Sequence, residues 1–413
     1  MNIIVISFSS LKYNKLSAFL NILLIAFGVG ILTILMLANN QIQNKLENNA
    51  RGIDAVVGAK GSPLQLILSS IYYIDFPTGN IPLADAEAIA KNRMVKLAVP
   101  LALGDNFNGF RIVGTNASFI RMYNLKLDKG KFWKQDFEVT LGAEVAKTQK
   151  LKVGDLFFGA HGLADNSEVH EDHAYKVAGI LTPNANVTDQ LVLTNLSSVW
   201  HMHQHEEAPN PQLESPLQKS PQPESPQPEA QTPEAEITSL LIKYKSPMSV
   251  ILFPKMVNET TNLQAASPAI ESTRLFSLIG VGVETLQIFA YLIMAISVIS
   301  VFISLYNSLK QRKYDLAIMR TMGASKTKIF LIVILEGFIL SLIGTLSGSL
   351  FGHIALQFIS SMQDAGQVKL TGLVFLPIEF YLILVGLCTG IFAAFMPAIA
   401  AYRINISKIL AAG

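Results

Sequence analysis

Long apolar segments dominate both ends of the chain. Residues 18–38 form an uncharged run of about twenty residues, enough to cross a hydrocarbon core of about 30 Å. Further apolar segments follow beyond residue 277, whereas nothing between residues 39 and 277 could span a bilayer. The pattern predicts a membrane protein with four transmembrane α-helices. A large α+β extracytoplasmic domain would be inserted between spans 1 and 2.

The predicted segments alternate between membrane and aqueous environments. In chain order they are an N-terminal interfacial helix (1–16), transmembrane helix 1 (17–39), the outer domain (40–276), a stalk with transmembrane helix 2 (277–309), a cytoplasmic loop (310–328), transmembrane helix 3 (329–360), an outer loop (361–372), transmembrane helix 4 (373–402) and a cytoplasmic tail (403–413). Lys12 and Lys15 precede the first span, and short basic segments stay in the cytoplasm. Both termini are therefore expected inside. The first span is longer than the apolar region of a cleaved signal peptide, which predicts a retained anchor.

The outer domain has a mixed pattern. Residues 83–95 are helix-like, and short β-rich runs bounded by Gly, Pro or Asn occur at 110–114, 139–141, 175–181 and 190–193. These predict an α+β domain of two lobes, with the second inserted in the first. Residues 206–236 are rich in Pro, Gln and Glu and have almost no apolar content. That composition predicts a disordered loop.

Composition agrees with a membrane protein. Half of the residues are hydrophobic and 15% are charged, and the net charge of +2 suggests no nucleic-acid partner. Cys388 is the single cysteine, so the chain can form no internal disulfide.

The loop between spans 2 and 3 is strongly basic, with the sequence KQRKYDLAIMRTMGASKTK. Composition alone favours a solvated turn that fixes topology. The same residues also form a short helix with an apolar ridge and a basic rim, which suits insertion into a groove on a partner. Gly323, followed by Ala-Ser, predicts a helix stop and restart.

This loop resembles the signature R-x-x-E-[IL]-A-[IL]-[ML]-R-[AT]-[LM]-G-A-[ST] of the FtsX/MacB/LolC-type permease family, the membrane subunits of certain ABC transporters. The chain matches from Arg312 to Ser325, with Asp315 where Glu is usual. Leu335-Glu336-Gly337 and Met396-Pro397-Ala398 agree in the right order. Shorter likenesses to the MacB-type periplasmic core occur at 141–146, 151–155 and 177–181.

The resemblance implies a non-catalytic subunit of the bacterial cytoplasmic (inner) membrane, with its large domain in the periplasm. The loop would be the coupling helix that docks on a dimer of cytoplasmic ABC ATPase subunits. ATP and Mg would sit on that partner, and no cofactor is expected in this chain. The implied coupling residues are Arg312, Asp315, Leu316, Ile318, Met319, Arg320, Met322 and Gly323.

The resemblance also implies a function. A homodimer, or a pair with a similar permease, would use mechanotransmission to extract or export a lipid, lipoprotein or other amphiphile at the periplasmic face. Membrane lipid and a periplasmic or outer-membrane protein are the other expected partners. Two alternatives stay open: an FtsX-like signalling subunit that controls a periplasmic hydrolase, and a metal- or haem-linked efflux component.

Small residues recur within the last two spans. They are Gly344, Gly348 and Gly352 in the third and Gly386 and Gly390 in the fourth. This spacing predicts helix packing in lipid. Glu336 lies inside an apolar stretch and needs a basic partner, for which Arg320 and Arg403 are the candidates.

Histidines cluster in the outer domain, interleaved with acids. They are His161, His170, His173, His201, His203 and His205. Imidazole and carboxylate are ligands that zinc or copper favours. A hairpin over residues 174–193 would bring the two groups of histidines together. The alternatives are a solvated loop and a pH-responsive patch.

Overall fold

The structure is a computed structural model that describes residues 3–161, 173–204, 235–362 and 370–403. It has two compact units, one of residues 1–42, 278–363 and 369–413 and one of residues 43–277 and 364–368. In the described part of the chain the α-helices are α1 (Ile3–Tyr13), α2 (Lys15–Ala50), α3 (Pro63–Ile67), α4 (Leu83–Ala90), α5 (Ala117–Tyr123), α6 (Ala143–Gln149), α7 (Leu196–Gln204), α8 (Ser249–Thr260), α9 (Pro268–Gln311), α10 (Lys313–Thr321), α11 (Lys326–Ser361) and α12 (Ile378–Tyr402).

The strands of the described residues all lie in the second unit. They are β1 (Ala55–Ala59), β2 (Ile81–Pro82), β3 (Val95–Phe107), β4 (Phe110–Thr115), β5 (Leu127–Gly130), β6 (Glu138–Leu141), β7 (Leu156–Phe157), β8 (Ala160–His161), β9 (Tyr175–Leu181), β10 (Val192–Asn195), β11 (Glu236–Ile237), β12 (Ser239–Tyr244) and β13 (Leu263–Ala266). A π-helical turn at Leu68–Tyr72 continues α3, and a 3-10 turn spans Val187–Gln190.

Four of the described helices are long and apolar enough to cross a membrane: α2, α9, α11 and α12. Two of them extend well beyond the predicted apolar runs, since α2 has 36 residues and α9 has 44. A 44-residue helix is about 66 Å long, roughly twice the hydrocarbon thickness. The hydrophobic run therefore marks where a span lies but not where its helix ends.

Close contacts between α11 and α2 organise the first unit. Gly344, Gly348 and Gly352 all face α2. A Cβ added to Gly348 would lie 2.5 Å from the carbonyl oxygen of Ala26, closer than any Cβ tolerates. The two backbones therefore meet with no side chain between them.

A second small-residue face of α11 packs against α12. A Cβ on Gly386 would lie 2.3 Å from Oγ1 of Thr345. One on Gly390 would lie 2.3 Å from Cβ of Ser341 and 2.5 Å from the carbonyl oxygen of Gly337. These contacts let van der Waals packing hold helices together in lipid, where burial from water contributes nothing.

In the described residues, the main sheet of the second unit has the strand order β13-β1-β12-β3-β4-β10-β6-β9-β5. The strand β7 also pairs with β9, β8 pairs with β3, and β2 and β11 form a separate two-stranded sheet. The long β3 pairs with β12 through its first half and with β4 through its second. One core lies under β1, β12 and β13 with α8, and another lies under β4, β6 and β9 with α6. The strands of the first lobe come from both sides of the second in sequence, so the second lobe is inserted in the first.

The helix predicted at 83–95 is shorter in the structure. It ends at Ala90, and Val95 already begins β3. The side chain of Asn92 accepts a hydrogen bond from the backbone N–H of Met94 at 2.9 Å. Such a local side-chain turn competes with the helix and redirects the chain. Of the predicted disordered segment, only Ala235 and Glu236 lie among the described residues, and Glu236 belongs to β11.

The close packing of α11 and α12 predicts a strong effect of one methyl group. Gly390→Ala should destabilise the full chain by about 1–3 kcal/mol, because the added Cβ meets Ser341 and backbone. Gly282→Ala is the matched control, since nothing lies within 4 Å of its added Cβ. It should be neutral or stabilise by about 0.5–1 kcal/mol, because alanine favours a helix over glycine. Thermal unfolding of the detergent-solubilised chain measures both, and equal melting temperatures would contradict the packing.

Candidate coupling site

The short helix α10 lies between two membrane-spanning helices. The amide of Gly323 bonds to the carbonyl of Arg320 at 3.1 Å, and Gly323 has a φ of +95°, which favours glycine. The chain then restarts at Ser325, whose Oγ accepts the N–H of Lys328 at 3.2 Å. The predicted stop and restart is present, and it isolates α10 as a separate nine-residue helix.

One face of α10 is buried in the protein's own core. Leu316 is 3% exposed and Ala317 is fully buried. Both face inward, and Leu316 belongs to one apolar cluster with Ile329 and Ala398. Met319 packs against the same cluster. The expectation that Leu316 belongs to an outward docking ridge is therefore wrong, because that position anchors α10 to α11 and α12.

The opposite face presents a different apolar row. Tyr314, Ile318 and Met322 follow at intervals of four residues and are 52%, 38% and 81% exposed. Residues at this spacing lie on one side of a helix, and we call them the α10 ridge. Lys313 and Asp315 are exposed beside it. An exposed apolar ridge bordered by charged side chains is the kind of surface with which a helix inserts into a groove on a partner protein.

Arg312 closes the junction between α9 and α10 from inside. Its Nη1 lies 3.2 Å from Oε1 of Glu336 and also donates to the hydroxyl of Ser10 in α1. The Glu336 side chain is 5% exposed and that of Arg312 is 20% exposed. The sequence predicts Arg320 or Arg403 as the partner of Glu336, and this is wrong, because the structure places Arg312 there. Arg312 lies within reach of Glu336 because the end of α9 lies beside the first turns of α11.

The N-terminal helix α1 joins this cluster through serines. Oγ of Ser7 donates to the carbonyl of Ile332 at 3.2 Å, and both Ser7 and Ser10 are buried. The apolar side chains of Ile4 and Phe8 are exposed instead, as suits a helix that lies in the membrane interface. The interfacial helix is therefore attached to α11 by its polar face.

The outer domain places two of the singled-out histidines around one ring. The ring centroid of Phe137 lies 4.8 Å from that of His173 and 6.4 Å from that of His201. Nδ1 of His201 is 3.4 Å from Asp136. A hydrogen bond from Ser197, with a weaker contribution from the nearby His201, holds the pKa of Asp136 below its usual value.

These histidines meet by a route different from the expected one. A hairpin over 174–193 is wrong, because β9 and β10 each pair with β6, which lies between them. His170, His205 and the side chains of His161 and His203 lie outside the described residues. Within the described ranges no group of three His, Cys, Asp or Glu residues could hold a metal ion. Zinc or copper binding stays a prediction.

Sequence reasoning missed a second buried pair in the spans. Nε2 of His353 lies 2.8 Å from Oε2 of Glu379, and its Nδ1 lies 2.6 Å from the carbonyl oxygen of Gly372. Because a carbonyl only accepts, Nδ1 carries a proton. The signal was available: both residues are ionisable and lie at or within apolar segments, where such groups need partners.

Comparisons with known proteins match both units. Residues 18–248 match the MacB-like periplasmic core domain family, and residues 287–406 match the FtsX-like permease C-terminal family. The lipoprotein-releasing system transmembrane protein LolC of Buchnera aphidicola subsp. Schizaphis graminum (strain Sg) is 20% identical over 352 residues, which is 83% of this chain and 79% of that protein.

Two solved structures resemble part of this chain. The periplasmic region of MacB from Actinobacillus actinomycetemcomitans is 12% identical, with a TM-score of 0.34, and the match covers 56% of this chain and 97% of that one. The extracellular domain of YknZ, a noncanonic ABC-type transporter from Gram-positive bacteria, is 9% identical, with a TM-score of 0.31 and coverage of 52% and 100%.

A four-span bundle with a MacB-like periplasmic core between its first two spans defines an ABC transporter permease subunit. The core-domain match alone covers more than half of the residues. The chain belongs to the FtsX/MacB/LolC-type permease family. Members are inner-membrane proteins, which places α10 in the cytoplasm and the second unit in the periplasm, and the family works with an ABC ATPase.

The ion pair at the junction predicts an asymmetric mutational response. Arg312→Gln should destabilise the chain by about 3–5 kcal/mol, because it leaves the buried Glu336 carboxylate without its cation. Glu336→Gln should cost less, about 1–3 kcal/mol, because the more exposed Arg312 still reaches water. The double variant should be more stable than Arg312→Gln alone.

Thermal unfolding of the purified full chain provides the measurement. Arg403→Gln is the matched control, since Arg403 is exposed and should shift stability by no more than about 0.5 kcal/mol. A double variant whose loss equals the sum of the single losses would show that Arg312 and Glu336 do not interact.

Proposed function

We propose that this permease drives mechanotransmission, with the α10 ridge as its contact with the ATPase. ATP-driven closure of the cytoplasmic subunits would move α10, and the attached helices would carry that motion to the periplasmic domain. The observation that carries the proposal is the apolar row Tyr314, Ile318 and Met322, exposed to the cytoplasm on a helix whose other face is fixed.

The anchoring of α10 suits it to transmit force. Leu316 and Ala317 are buried, and Leu316 packs with residues of α11 and α12. Arg312 ties the start of the helix to Glu336 of α11. A push on the ridge therefore acts on α11, because interior packing is too dense to absorb the displacement.

For the substrate we propose an amphiphile, either a lipid or a lipoprotein, taken from the outer leaflet at the periplasmic face. The similarity to LolC, whose name describes a lipoprotein-releasing system, supports this class. The packing also supports it. Added Cβ atoms at Gly348 and Gly390 would overlap the neighbouring helices, so these contacts leave no room for a solute path between α11 and its neighbours.

Replacing the ridge should uncouple the ATPase without unfolding the permease. Ile318→Ser with Met322→Ser removes two exposed apolar side chains, which should weaken ATPase binding by about tenfold or more. Ile318→Leu with Met322→Leu is the matched control and should retain binding, because the apolar ridge remains. Leu316→Ser should instead lower the melting temperature of the isolated permease, because it opens the core.

The readouts are the affinity of the cognate ATPase for the permease in nanodiscs and the permease-stimulated rate of ATP hydrolysis. Wild-type binding and stimulation by the serine variant would reject the ridge as the contact. If the double serine variant binds less but also unfolds at a lower temperature, Met322→Ser alone is used in its place, because the Met322 side chain is 81% exposed.

The substrate class has its own experiment. Full-length permease and its ATPase, reconstituted in proteoliposomes, should release a fluorescent triacylated peptide in an ATP-dependent manner. The same peptide without acyl chains should not depend on ATP. Equal handling of both peptides would reject the amphiphile, and ATP-dependent stimulation of a periplasmic hydrolase without release would favour the signalling alternative.

A further inference from the structure

A polar groove opens on the first unit between the α1–α2 junction and the last turns of α9. Its volume is about 420 Å³, within the range of about 300–1,000 Å³ typical of small-ligand sites. The polar side chains that line it include Asn14, Ser17, Ser304, Asn307, Ser308 and Gln311. Neither the coupling contact nor the small-residue packing accounts for these side chains.

The groove changes from polar to apolar along α9. Gln311, the last residue of α9, lies at the polar end, and Ile303, Ile299 and Ile296 follow toward the bilayer centre, with Ser300 as the one polar lining residue among them. From position 311 to position 296 the helix rises about 22 Å. One leaflet with its headgroup is about 20 Å thick. The lining therefore follows the polarity of a single phospholipid molecule, from headgroup to acyl chain.

Hydrogen bonds between side chains fix the polar wall of the groove. Oγ of Ser17 and Oγ of Ser304 are 2.7 Å apart, and Ser300, which also lines the groove, donates to Oδ1 of Asn21 at 2.7 Å. Asn21 is 1% exposed and lies behind the wall rather than in the groove lining. These bonds hold the hydroxyls of Ser17, Ser300 and Ser304 in place on the groove wall.

The exposed charges that flank the polar end in sequence are lysines, and the buried Glu336 behind the polar wall is paired with Arg312. The exposed Lys12 and Lys15 flank Asn14, and the exposed Lys310 precedes Gln311. The sequence has no Asp or Glu in residues 1–46 or in residues 285–314. An anionic headgroup has the complementary charge.

We propose that the groove binds one anionic phospholipid of the cytoplasmic leaflet. The phosphate and glycerol oxygens accept from the Ser, Asn and Gln side chains, and the three lysines supply the preference for negative charge. An acyl chain lies along the three isoleucines of α9. The inference is independent of the substrate and of the ATPase contact, since it concerns a lipid on the opposite leaflet.

Lipid titration of the detergent-solubilised full chain, read by native mass spectrometry, tests the proposal. Phosphatidylglycerol should bind at one site more tightly than phosphatidylcholine with the same acyl chains. Lys12→Gln, Lys15→Gln and Lys310→Gln should each reduce that preference about fivefold, because a lysine near an anionic lipid contributes about 1 kcal/mol. Lys328→Gln is the matched control, an exposed lysine on the same side of the membrane but away from the groove.

A second pair of variants tests the groove itself. Ser304→Leu fills its wall and should abolish binding of phosphatidylglycerol, whereas Ser347→Leu on the exposed face of α11 should leave it unchanged. Melting temperatures check that both variants fold. Equal affinity for the two lipids, or an equal loss with Lys328→Gln, would overturn the proposal. A Ser304→Leu variant that shifts the monomer–dimer ratio but keeps its lipid would assign the groove to a protein partner instead.

Discussion

A polar side chain inside the bilayer has no bulk water to bond to, so its partner must come from the protein. This constraint is most evident on α11. Near its cytoplasmic end Glu336 is held by Arg312, and toward its other end His353 is held by Glu379 and Gly372. Each bond draws in a different element: the α9–α10 junction, the start of α12 and the segment before it.

Between these two polar contacts α11 packs closely against α2 and α12, because glycines leave no side chain between the helices. Gly348 meets the backbone of α2, and Gly390 of α12 meets Ser341. Hydrogen bonds fix which helices meet at the ends, and small residues fix how closely they pack between. The α10 helix inherits its position from the same element, because Leu316 packs with Ile329, which lies in the first turn of α11.

Features set by local chemistry could be predicted from the sequence. Long apolar runs located the spans, and the stop at Gly323 with the cap at Ser325 follows from glycine at positive φ and a serine N-cap. Which face of α10 is buried could not be predicted from the sequence. Leu316 and Ile318 are both apolar, and in a nine-residue helix the periodicity does not say which of them faces the core. Only the neighbouring α11 and α12 decide it.

Side-chain contacts between distant parts of the chain could not be predicted from the sequence, for a related reason. Arg312, Arg320 and Arg403 carry the same charge, and the fold alone brings the first of them to Glu336. The histidines show the same limit, since His173 and His201 meet at Phe137 through a parallel β6–β9 pair rather than a hairpin.

The cytoplasmic ion pair and the polar groove share a wall. Asn14, Ser304 and Ser308 line the groove, and the same three residues line a cavity of about 10 Å³ together with Ser10 and Glu336. Ser10 also accepts a hydrogen bond from Arg312, at the start of α10. The groove therefore adjoins the contact that holds α10 to α11. The groove and the start of α10 are thus connected through small polar side chains of α1, α9 and the α1–α2 junction.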